Sequence, residues 1–135
     1  MEVDFAFLAD AAEAVNGKIY VIGGAFDTIW ANSAPLNHPH LSFIAKLLLS
    51  PAELGRHHQI ELKIVNEDGK TAAPPITAQL NVAKNENLQR GWKQGHIFVL
   101  NFGNLRFENF GDYSFEIVVN NSSLKNVALH IAKRP

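Results

Sequence analysis

The sequence predicts an all-β fold: an antiparallel Greek-key sandwich, immunoglobulin-like in broad architecture, with one short helix after the first strand. Three observations predict it. Apolar residues recur at every second position in several segments. Glycine, proline and asparagine clusters separate those segments at spacings of about eight to twelve residues, and no stretch carries the 3.6-residue period of a long amphipathic helix. At 135 residues the chain fits a single domain over 1–135 and buries enough surface to hold a core without staples.

Taken in order, Val3, Phe5 and Phe7 alternate with Asp4 and Ala6 and read as the first strand. Asp10 and Glu13 then stand at capping-box spacing, and Asn16-Gly17 supplies a stop, so a helical turn is expected between them. Strands are expected at Lys18–Gly23 and Ala25–Trp30, with the Gly23-Gly24 doublet marking a bulge or sharp break. In Leu41–Leu49 the odd positions form one apolar face, while Ile44 and Leu48 place apolar groups on the other. Ile60, Leu62 and Ile64 alternate with polar residues, and Asn66 to Gly69 forms a turn. Pro74-Pro75 lies outside any central ladder, because neither residue donates a backbone hydrogen bond. Strands follow at Ile76–Val82, His96–Phe102, Tyr113–Val119 and Leu124–Ile131, the last two separated by Asn120-Asn121-Ser122. Gly111 two residues before Tyr113 resembles a tyrosine corner, in which the phenol bonds back to an upstream backbone group. The expected core is Phe5, Phe7, Val21, Phe43, Leu47, Leu62, Ile64, Leu80, Phe98, Leu100, Tyr113, Phe115, Ile117 and Leu129.

Composition removes several function classes. The chain has no cysteine, which excludes disulfides, thiolate metal sites and a thiol nucleophile. Twelve Lys and Arg against thirteen Asp and Glu provide no basic surface for nucleic acid. Glu2 and Asp4 stand where a secretory signal is basic, and no apolar run reaches the roughly 18–20 residues that cross a bilayer, so no membrane partner and a cytoplasmic location are expected.

The opening Val3 to Glu13, the segment Asn16 to Gly24 and the Gly111-Asp112-Tyr113 strand together resemble an uncharacterised bacterial family, a domain of unknown function made of small single-domain β-sandwich proteins. The resemblance covers nearly the whole chain. It implies a β-sandwich without an established activity and brings no site residues with it.

Two groups of side chains are candidates for function. His38 and His40 stand two apart, a spacing that on a regular extended segment points both imidazoles to one side, as a metal site requires. The favoured expectation is a polar loop entering the strand at Leu41, with Pro39 setting its direction. Arg90, Trp92 and Lys93 lie in a long polar connection where an aromatic flanked by cations is a frequent contact point. There the favoured expectation is Trp92 folded back as a lid over the open end of the core, with an exposed anchor as the other possibility. No nucleophile elbow, phosphate loop or dinucleotide fingerprint is present.

The chain is therefore expected to be a non-catalytic binding or protein-interaction module with no cofactor. A metal-binding protein or metal-dependent enzyme built on His38 and His40 is the alternative. The second apolar face at Ile44 and Leu48 calls for a cover, either the short helix within the chain or another subunit, and a homo-oligomer, most simply a homodimer, is the favoured expectation.

Overall fold

Each segment with strand-like patterning is a strand in the structure, a computed structural model describing residues 1–135. The strands are β1 (Glu2–Val15), β2 (Lys18–Gly24), β3 (Thr28–Ala31), β4 (Leu36–Leu49), β5 (His58–Asn66), β6 (Ile76–Leu80), β7 (Gln94–Phe107), β8 (Gly111–Val119) and β9 (Ser122–Lys133). They form two sheets. The first has the order β2-β1-β4-β7 and the second β3-β9-β8-β5-β6. All pairings are antiparallel except β3 with β9. No helix is long and apolar enough to cross a membrane.

The interior is the space between the sheets. Phe43 of β4 stacks on Phe115 of β8 with centroids 5.9 Å apart, joining the sheets at mid-height. Phe102 meets the same Phe115 edge-on, and Phe107 meets Tyr113 edge-on at 4.9 Å. The Tyr113 hydroxyl donates to the Asn109 carbonyl at 2.7 Å, so the buried phenol is satisfied by the turn just before its own strand. Leu8, Leu41, Leu62, Ile64, Leu129 and Ile131 complete the centre.

The expected helix does not form. Ala9, Ala11, Ala12 and Glu13 pair with Gly24, Ile22, Val21 and Tyr20, so β1 runs on as a strand to Val15. Asn16-Gly17 is the hairpin turn, with φ of 51° and 74°. Consecutive residues at positive φ are what a two-residue hairpin requires, and a ladder of backbone bonds outweighs the modest helix preference of alanine. The capping-box geometry is found elsewhere: Ser50 donates its backbone N–H and its hydroxyl to Glu53 Oε1 at 2.9 and 3.0 Å, closing a 3-10 turn over Pro51–Glu53.

The core also differs from expectation in one systematic way. Val3 pairs with Leu47 but Phe5 pairs with Lys46, so Asp4 is the extra residue of a β-bulge. A one-residue slip reverses every later side chain. Val3, Ala6 and Leu8 thus face the interior, while Phe5 and Phe7 lie on the outer side of the first sheet. Val21, also expected in the core, is exposed because β2 pairs with β1 beyond the reach of the second sheet.

Candidate functional site

The outer face of the first sheet is built from positions that a regular pleat puts on one side. Phe7, Ile44 and Val99 form one cross-strand row; Phe5, Lys46 and Ile97 form the next below, and Ala9, Ser42 and Asn101 the next above. Phe5 and Phe7 stack with centroids 5.9 Å apart. Ile44, Ala9 and Ser42 are fully buried, shielded by neighbours within the sheet, and the Ser42 hydroxyl donates to Asn101 Oδ1 at 2.5 Å. No other strand or helix of the chain lies over this face. Its one cation, Lys46, has Asp4 Oδ2 at 3.4 Å, so the charge is balanced on the face itself.

Above Ala9, β1 loses β4 and continues paired with β2 alone. This two-stranded arm carries Tyr20, 59% exposed, and Ile22, 71% exposed, with Val15 and Val21 also exposed. Gly23 holds the arm in place: its φ is 62°, and the Asp10 carboxylate occupies the space a side chain there would need. A two-stranded ribbon with apolar side chains in water is only marginally stable on its own. It gains most from a cover.

Arg90, Trp92 and Lys93 are brought together on the connection between β6 and β7, and all three are exposed. The loop is fixed by Gln94, which accepts from the Asn85 N–H at 2.9 Å and donates to the Ala83 carbonyl at 2.8 Å. Trp92 is not a lid. It is 57% exposed, because the end of the sandwich it was expected to cover is already closed by Val82 packed on Leu47 and Leu49. Lys93 donates to Glu2 Oε1 at 2.5 Å, and that carboxylate raises the ammonium's pKa and ties the loop to the start of β1. A shallow hollow of about 120 Å³ separates Trp92 and Arg90 from Pro51 and Leu54.

His38 and His40 do not share the geometry expected of a regular pleat. Leu36 and Leu41 both pack toward the core although five residues apart, so the strand changes face between them. Opposite this segment, Asn104 adopts a φ of 52°. His40 Nδ1 lies 2.6 Å from the Asp10 carbonyl, a bond that uses this ring nitrogen. Burial lowers the His38 pKa below 6.5, with Asp10 pulling the other way. No third His, Asp or Glu joins the two imidazoles in a group that could hold a metal ion.

Sequence reasoning found the second apolar face at Ile44 but missed Phe5 and Phe7, whose outward placement depends on the bulge at Asp4. Residues 4–132 match the sequence model of DUF6941, a family of unknown function. The chain belongs to that family. No curated protein matches it. The DUF6941 region runs from the bulge residue of β1 almost to the end of β9, so the outer face, the β1–β2 arm, the Trp92 loop and the histidine pair all fall inside it.

Proposed function

We propose that this DUF6941 protein is a non-catalytic interaction module that binds a protein partner through the outer face of its first sheet, the first such partner being a second copy of the chain. One observation carries the reading: along β1 and β2 the outward positions Phe7, Ala9 and Ala11 and their neighbour Ile22 lead from the row around Ile44 to the exposed arm, and no other strand of the chain lies over them. A two-fold arrangement suits such a surface, since the same patch serves on both subunits and each arm gains a face to lie against. The Lys46–Asp4 pair supports it, because this cation would enter the contact with its counter-charge beside it. Arg90 and Trp92, exposed on a loop anchored at the foot of the same sheet through Lys93 and Glu2, are proposed as a secondary contact for a different partner. An immunoglobulin-like, Greek-key classification belongs to the same reading, supported by the parallel β3–β9 pairing and the Tyr113 hydroxyl bond, as does a cytoplasmic, bacterial setting.

Sedimentation equilibrium over a hundredfold range of protein concentration tests this. A reversible dimer that Ile22→Glu with Phe7→Lys converts to monomer is the expected result. A wild-type chain that stays monomeric at tens of micromolar overturns the self-association, and a dimer untouched by the two substitutions overturns the choice of surface.

A further inference from the structure

The two sheets are open along one margin. β6 ends the second sheet and β7 ends the first, and no ladder joins them. Register with β5 turns Ile76 and Ala78 of β6 inward, toward Phe98 and Leu100 of β7, yet Ile76 remains 38% exposed and Ala78 is exposed as well. Inward-facing apolar side chains that stay wet define a cleft rather than a sealed core. Its floor is the buried pair Leu62 and Ile117, and the space amounts to about 150 Å³.

We infer that this cleft binds a small neutral molecule with one apolar ring or short aliphatic chain, oriented by a single hydrogen bond to His96. An apolar cavity of about this volume is too poor in polar partners to order water and is large enough for a benzene-sized body. Among the side chains that line the cleft from inward positions of β5, β6, β7 and β8, His96 is the one polar group. Its burial lowers the imidazole pKa, so the ring meets a ligand as the neutral form, offering one donor and one acceptor. Glu61 and Gln79 stand at the lip on the opposite pleat face, paired with Thr77 and Gln59, and Lys63 lies 3.4 Å from Glu61. No cation faces into the space, so a ligand carrying a carboxylate or phosphate would lose its hydration without a counter-charge. The site is independent of the outer face of the first sheet.

The test is titration of the full-length chain with hexan-1-ol and, separately, with hexanoate at pH 7.5, followed by amide chemical shifts. Saturable shifts confined to β5, β6 and β7 around Ile60, Ala78 and Phe98 are expected for the alcohol, with at least tenfold weaker binding of the carboxylate. Ala78→Phe, which fills the space from a wet position, abolishes the alcohol shifts. If that variant fails to fold, saturation by the alcohol and its preference over hexanoate still decide the matter on the wild-type chain. Equal binding of hexanoate overturns the neutral class. Non-saturating or dispersed alcohol shifts overturn the site, and so do cleft shifts that appear on raising protein concentration without probe, since the cleft then holds a second copy.

Discussion

Phe43 and Ile44 are adjacent in β4 and both are fully buried, yet they are buried in different ways. Phe43 points into the sandwich and meets Phe115 of the opposite sheet, so it is covered from above. Ile44 points outward, where no opposite sheet covers it, between Phe7 and Val99 of its own sheet. Equal solvent exclusion therefore conceals different packing: one side chain is covered by the opposite sheet, and the other has no second sheet above it. The inner face is a core, and the outer face is the surface proposed as a contact.

The largest effect should separate those two residues. Phe43→Ala is expected to cost about 3–5 kcal/mol in denaturant unfolding, because the gap between two sheets cannot collapse. Ile44→Ala should cost about 1–2 kcal/mol at low protein concentration, where Phe7 and Val99 can settle into the space. Equal losses for the two would break the comparison and show the outer face covered in the isolated chain.

Acid titration probes the inner side again. Burial holds the His96 and His38 imidazoles below 6.5, so the folded chain favours their neutral forms. Their contribution to stability is present above about pH 6.5, the value in the unfolded chain, and is lost as pH falls through each folded value, because the unfolded state takes up protons first. The denaturant midpoint should fall between pH 7 and pH 5, and His96→Gln should flatten part of that fall. A midpoint unchanged over this range would contradict the burial of both rings.

Smaller effects belong to the outer surface. Ile22→Glu should change monomer stability by no more than about 0.5 kcal/mol while removing self-association, measured by unfolding and sedimentation on the same preparation. A loss above about 2 kcal/mol would mean that the arm packs within its own subunit. Trp92→Ala should be the mildest, within about 0.5 kcal/mol, since the indole is exposed and the sandwich end is filled by Val82.

Much of this architecture could be read from residue order. The alternation of Tyr113, Phe115, Ile117 and Val119 fixes β8, and its four inward side chains are all buried. Asn120-Asn121, with φ of 49° and 67°, closes the β8–β9 hairpin where the asparagines predicted a break. The helix expected at Asp10 failed because a capping-box spacing is a local preference, whereas the β2 ladder satisfies the same backbone groups over six registered pairs. The site was half legible. Ile44 disclosed a second apolar face, but Phe5 and Phe7 were assigned to the core because the single-residue bulge at Asp4 leaves no mark in the pattern.

By itself the sequence determined that the fold is all-β, roughly where each strand lies although β1, β4 and β7 run five to eight residues beyond the expected segments, and that cysteine chemistry is excluded. Those properties follow from local period, turn residues and composition, which need no knowledge of what lies opposite. Only the tertiary structure decided which side of β1 faces the core, where β1 stops being covered, and that β6 and β7 stand apart over an apolar cleft. Each of these depends on register or on the relative reach of two sheets. Register is a relation between segments distant in sequence, and one residue of slip exchanges inside for outside.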